Sequence, residues 1–124
     1  MPSGINTRLP HKEPLIFIGT LTEESESHVA FAAHFPIIPT LAMFCEAAAQ
    51  GSSFFPLSPT CTIGVVSSFR NCKLILNPFR CESHLTITIV HTFNNSYLFE
   101  FKAFDPDSQQ LLATGEIAVF YTSL

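Results

Sequence analysis

Apolar and polar residues alternate through much of Leu85-Thr86-Ile87-Thr88-Ile89-Val90-His91-Thr92-Phe93 and again through Tyr97-Leu98-Phe99-Glu100-Phe101-Lys102-Ala103. That is the pattern of strands with one buried and one wet face. Asn94-Asn95 between them predicts a hairpin turn, because Asn tolerates positive φ better than most residues. Asp105-Pro106-Asp107-Ser108 predicts a second turn, and Leu111 to Tyr121 the last strand. Nearer the start, residues 1 to 9 read as a polar lead-in, and Leu9-Pro10-His11-Lys12-Glu13-Pro14 as a turn-rich entry bracketed by prolines. Leu15 to Leu21 is a β-rich run of strand length, Thr22 to Ser27 is acidic and exposed, and His28 to Ala32 predicts a short strand leading to a loop that holds His34. Cys61 to Arg70 begins an extended region that continues to Leu76 and ends at Asn77-Pro78.

Leu41 to about Ser53 predicts a helix entered through Pro39-Thr40, with Thr40 as N-cap because its hydroxyl can accept from an orphan backbone N–H. The helix is apolar on every side, which a surface helix does not tolerate, so an internal position is expected. The element order is then strand, strand, helix and four strands in a meander. The class is α+β, and the simplest arrangement is a curved antiparallel sheet of five or six strands wrapped around one central helix, the hot-dog fold. Such a layer leaves an edge strand exposed, and dimerisation through edges is the expected remedy.

Composition narrows the choices. The 124 residues fit a single domain, 1–124, with a sizeable core. Hydrophobic residues make up 47% and charged ones 13%, with 13 Phe, which is thin in charge for a monomer's surface and points to an oligomer interface or a greasy cavity. A net charge of −4 with six Lys and Arg argues against general nucleic-acid binding. No apolar run suggests a membrane span, and no secretory leader is visible, so a cytoplasmic protein is expected. Cys45, Cys61, Cys72 and Cys81 lack CxxC spacing, which supports neither a disulfide framework nor a metal site.

Glu46 is the one carboxylate in the apolar helix. Apolar surroundings disfavour its ionised form, which makes it a candidate proton donor, and a histidine is the natural complementary base. Gln50, four residues on, shares its helix face and could orient it or a substrate. The unpaired backbone N–H groups at the helix start, near Thr40 and Leu41, could polarise a thioester carbonyl.

Leu9-Pro10-His11-Lys12-Glu13-Pro14 followed by an apolar strand, His34-Phe35-Pro36 with a further Pro39, and Glu46-Ala47-Ala48-Ala49-Gln50 together resemble the 3-hydroxyacyl-(acyl-carrier-protein) dehydratases of fatty acid biosynthesis. Gly64 to Leu76 also resembles the strand that follows the helix in that family. The resemblance implies a hot-dog homodimer or a higher assembly in which His34 removes the C2 proton of a 3-hydroxyacyl thioester. Glu46 of the partner chain then protonates the departing hydroxyl. It implies no metal or organic cofactor, the acyl group being carried on phosphopantetheine of acyl carrier protein or on coenzyme A. This chain departs from the pattern in having Pro39-Thr40 and a shorter loop between His34 and Glu46. The Leu-Pro-His opening resembles the aryl-polyene type of dehydratase and raises His11 as a rival or supporting residue. Arg70, Lys73 and Arg80 could form a basic rim that steers an acidic carrier protein, or a solvated strand face. Two alternatives stand beside the dehydratase: a hot-dog thioesterase, whose helix carboxylate activates water, and a non-catalytic acyl-binding or partner subunit.

Overall fold

A computed structural model describes residues 16–55 and 62–123. His11, with the rest of the Leu-Pro-His opening, and Cys61 lie outside the described residues. Among the described residues six strands and one helix follow in order: β1 (Ile18–Glu24), β2 (His28–His34), α1 (Leu41–Gly51) with a 3₁₀ turn at Ser52–Phe54, β3 (Thr62–Leu74), β4 (Glu82–Phe93), β5 (Ser96–Phe104) and β6 (Leu111–Ser123). All neighbouring strands pair antiparallel.

The strands form one sheet ordered β1-β2-β4-β5-β6-β3. The meander therefore holds for β4, β5 and β6 alone. β3 leaves the helix, crosses the sheet and pairs with β6 from Thr62↔Ser123 to Leu74↔Ala113, which corrects the expected run of four consecutive neighbours. Helix α1 packs on one face and touches β1 at one edge as well as β3 at the other, so the sheet curves around it.

Alternation decides which side chains meet the helix. Val29, Phe31 and Ala33 of β2, Leu85 and Ile87 of β4, and Phe99 and Phe101 of β5 are fully buried. The Phe31 ring leaves no room for a Cβ on Gly51, at the end of the helix. Burying a Phe or Leu side chain of this kind contributes roughly 1.5–3 kcal/mol. The helix is not enclosed on every side, however. Phe44, Ala47, Ala48 and Gly51 are buried, Ala42 is exposed, and Glu46 and Gln50 are half-buried.

Local rules hold at the ends. Thr40 caps the helix, its hydroxyl accepting from the Met43 N–H at 3.2 Å. Asn94 takes φ 55° in the β4–β5 turn. At the β5–β6 turn the buried Asp105 carboxylate accepts from the Ser108 N–H at 2.8 Å and the Asp107 N–H at 3.1 Å, and it lies 3.4 Å from Arg80 Nε. The Ser108 amide, with Asp107 and Arg80, holds this carboxyl below its ordinary value against the opposing effect of burial. A depressed folded-state value means that the stabilisation is complete above about pH 4, where the unfolded carboxyl ionises, and is lost as pH falls below it. Urea midpoints measured against pH check this: Asp105→Asn is expected to lower the neutral midpoint and flatten the acid limb, and an unchanged acid limb would contradict the assignment.

Candidate active site

Glu46 and Gln50 sit one turn apart on α1, and the Gln50 side-chain N–H donates to Glu46 Oε2 at 3.2 Å. The other end of the same amide accepts from the backbone N–H of Phe17 at 2.8 Å. Gln50 is thus fixed in orientation from both ends, its oxygen toward the chain that enters β1 and its nitrogen toward the carboxyl. The Phe17 carbonyl in turn accepts from the N–H of His34 at 2.8 Å. One continuous path of hydrogen bonds connects the helix carboxylate to the backbone of His34.

Beneath this path lies an aromatic floor. Phe17 and Phe35 have ring centroids 4.9 Å apart, and Phe35 meets Phe44 of the helix edge-on at 5.6 Å. Beside it opens a groove of about 360 Å³ lined by Ile16, Ile18, Gln50, Val66, Val119 and Tyr121, among others. Its walls are mostly aliphatic, with Gln50 and the neighbouring serines of the helix end supplying polarity. Burial pushes the Tyr121 phenol up, so that ring remains protonated and uncharged.

The imidazole of His34 points elsewhere. His34 is the last residue of β2 rather than a loop residue, and by the pleat it shares a face with His28 and Ala32, opposite Val29, Phe31 and Ala33. Its Nδ1 stands 3.1 Å from Glu82 Oε2, its partner in the β2–β4 register. The ring leans on Gly19, where a Cβ would come within 2.9 Å of Cδ2. It lines a separate cleft of about 290 Å³ with Glu82, His84, Pro106 and Gln109. Within the chain, then, Gln50 and Glu46 belong to the helix side of the sheet and the His34 ring to the outer side. Sequence reasoning missed Glu82 and Phe17. The His34↔Glu82 pairing is long-range, and Phe17 acts through its peptide group, which carries no residue-specific signal.

Thr40 and Leu41 stand where expected, at the helix start, but one of the orphan amides, that of Met43, is already taken by the cap. Of the three basic residues, Arg70 lies 3.5 Å from Glu116, and Arg80 lies 2.8 Å from Asp107 and over the Phe79 ring. Lys73 is exposed on β3. Among the described residues no group of three or more His, Cys, Asp or Glu is arranged to hold a metal, and no helix is long and apolar enough to cross a membrane.

No family model matches the chain, and no curated protein matches it by sequence. Solved structures do match. A Streptococcus mutans protein bound to acetyl CoA superposes with a TM-score of 0.71 at 10% identity, over 94% of this chain and 98% of that one. A thioesterase from Haemophilus influenzae gives 0.63 at 12% identity, over 84% and 78%. The dehydratase heterocomplex ApeI:P from Xenorhabdus doucetiae gives 0.59 at 13% identity, over 93% and 88%. The antiparallel six-stranded sheet that the described residues curve around one helix, and its match over 78–98% of these proteins' length, give the chain the hot-dog fold that thioesterases and dehydratases share.

Proposed function

We propose that this protein is an enzyme acting on acyl thioesters, with Glu46 as the proton-transferring group and dehydration of 3-hydroxyacyl thioesters as its reaction. The observation that carries the reading is the Glu46–Gln50–Phe17 arrangement, a helix carboxyl oriented by an amide that is itself held by backbone. Gln50, which holds the carboxyl, lines the aliphatic groove, and a carboxyl next to it can give a proton to a leaving hydroxyl while the acyl chain lies against Ile16, Ile18 and Val119.

Elimination also needs a base for the C2 proton. The motifs of the sequence assign it to His34, acting toward Glu46 of a second subunit. His11 joins it as a candidate, because the Leu9-Pro10-His11 opening resembles the aryl-polyene type of dehydratase. Thioester hydrolysis is the second reading. It is favoured by the outward position of the His34 ring, since a carboxylate and an amide suffice to activate and orient water.

The protein acts, in this proposal, as a homodimer or a higher assembly. β3 is an edge strand of 13 residues on which Val65, Phe69 and Leu74 are exposed, with Ile75 and Phe79 following. Pairing two such edges would cover them and satisfy the open backbone groups. Sedimentation velocity reads this directly, and a single monomeric species at micromolar concentration would contradict it. The acyl group is carried on coenzyme A or on the phosphopantetheine of a carrier protein. An acidic carrier docking at Arg70 and Arg80 would have to compete with Glu116, Asp105 and Asp107.

The reactions separate in one assay. Offered crotonyl and 3-hydroxybutyryl thioesters, the protein is expected to interconvert them without releasing free thiol. Thiol release without interconversion would replace the dehydratase by the hydrolase, and loss of turnover in either His34→Ala or His11→Ala would identify the base.

A further inference from the structure

The groove beside Gln50 lies between the two edges of the sheet. Ile18 reaches it from β1, Gly64 from β3, and Val119 and Tyr121 from β6, with Gln50 and Ser52 supplied by the helix and the turn after it. The helix runs along the sheet from the start of β4 toward its end. Phe44 packs on Phe35, whose N–H donates to the Cys81 carbonyl just ahead of β4, and Gly51 meets Phe31 and Ile87 farther along. Tyr121 stands past them, its N–H donating at 2.9 Å to the Asn95 carbonyl in the turn that follows β4. The way from Glu46 past Gln50 to Ser52 therefore leads toward the ring of Tyr121.

Gly64 and Tyr121 are partners in the β3–β6 register, so their inner faces coincide. A Cβ on Gly64 would come within 2.7 Å of Tyr121 Cε1 and 3.2 Å of Val119 Cγ1, and the ring thus fills room that only glycine leaves. Tyr97 meets the same ring edge-on at 5.2 Å and is itself stacked on Phe99 at 6.0 Å. The Tyr121 hydroxyl is buried beside the Ser52 side chain without a hydrogen bond of good geometry, and the Ser52 hydroxyl already donates to the Ala49 carbonyl at 2.7 Å. Packing is what places this ring.

We infer that Tyr121, seated by Gly64, is the end wall of the acyl groove and limits the protein to short acyl chains. The inference rests on the reading of this groove as an acyl thioester site and adds the length of the substrate. At about 360 Å³ the groove stands near the lower end of the roughly 300–1,000 Å³ usual for small-molecule sites. The chain starts at Gln50, beside the carboxyl, lies between Ile18 and Val119, and ends against Tyr121. Each methylene that finds room there gains about fourfold in affinity, the usual worth of a buried CH₂. One that meets the ring gains nothing, because the ring is closely packed from behind. The two positions act in opposite directions: Tyr121→Leu opens the end of the groove, and Gly64→Ala pushes the ring away from β3, toward Ser52 and into the groove.

The test measures, by isothermal titration calorimetry on the full chain, the binding of S-alkyl pantetheine thioethers from butyl to decyl, which neither elimination nor hydrolysis consumes. In the native protein affinity is expected to rise about fourfold per methylene over the shorter members and to level off or fall before decyl. Tyr121→Leu is expected to carry the rise to longer members, and Gly64→Ala to end it earlier. Circular dichroism checks that each variant folds; if one does not, the other and the native series decide. An unbroken rise through decyl in the native protein, the same limit in native and variant proteins, or no binding at any length would each overturn the inference. Where crotonyl thioester is still turned over, such a result removes the length limit alone. Absence of both binding and turnover would remove the acyl thioester reading with it.

Discussion

Glu46→Gln is expected to lower thioester turnover by about 10²–10⁴-fold, the usual worth of a positioned general acid or base. Glutamine has nearly the same shape, and its amide oxygen can still accept from the Gln50 side-chain N–H that now bonds Glu46 Oε2 at 3.2 Å. Since the residue is half-buried and not part of the aromatic packing, the thermal midpoint should move little. The expected pattern is a fall in kcat with KM largely kept, because the proton matters in the transition state more than in binding. Steady-state kinetics beside circular dichroism would check both halves. A large drop in the midpoint would mean that the carboxylate is structural, and full activity would mean that the chemistry lies elsewhere.

Phe44→Ala is expected to carry the largest cost to stability, about 3–5 kcal/mol, as for other phenylalanines removed from well-packed cores. The side chain is fully buried and meets Phe35 edge-on at 5.6 Å, and Phe35 in turn packs on Phe17. Removing the ring therefore takes away both transfer free energy and the floor beneath the Phe17 peptide that orients Gln50. Urea denaturation should show the loss as a lower midpoint at an unchanged slope, with Phe44→Leu intermediate. A change below about 1 kcal/mol would mean that the core collapses onto the gap, contrary to the close packing of protein interiors.

Much of this architecture can be read from local pattern. The alternation from Leu85 to Ile87 and from Phe99 to Ala103 places the same residues in the core that the structure buries, because a strand with one wet face repeats every two residues. Thr40 reads as a cap and Asn94 as a turn for equally local reasons. What stayed illegible is long-range. β3 mixes apolar and polar residues on both faces, so nothing in its pattern tells that it crosses to β6 instead of pairing with β4.

The same division runs through the site. Glu46 stands out because a carboxyl in an apolar helix breaks the pattern, and Gln50 follows from helical spacing. His34 reads as a loop residue because Pro36 and Pro39 lie close behind it. In the fold its backbone is drawn into β2 by the bond to the Phe17 carbonyl and by register with Glu82. Two added strand residues, Ala33 and His34, are enough to fix the face on which an imidazole stands, so a motif can be present while its ring points away from the helix.

The central claim, that Glu46 moves a proton on an acyl thioester, is tested most directly by following crotonyl thioester hydration in the native protein and in Glu46→Gln under identical conditions. Hydration by the native protein, nearly absent in the folded variant, is the predicted result. Equal rates in the two proteins would contradict it.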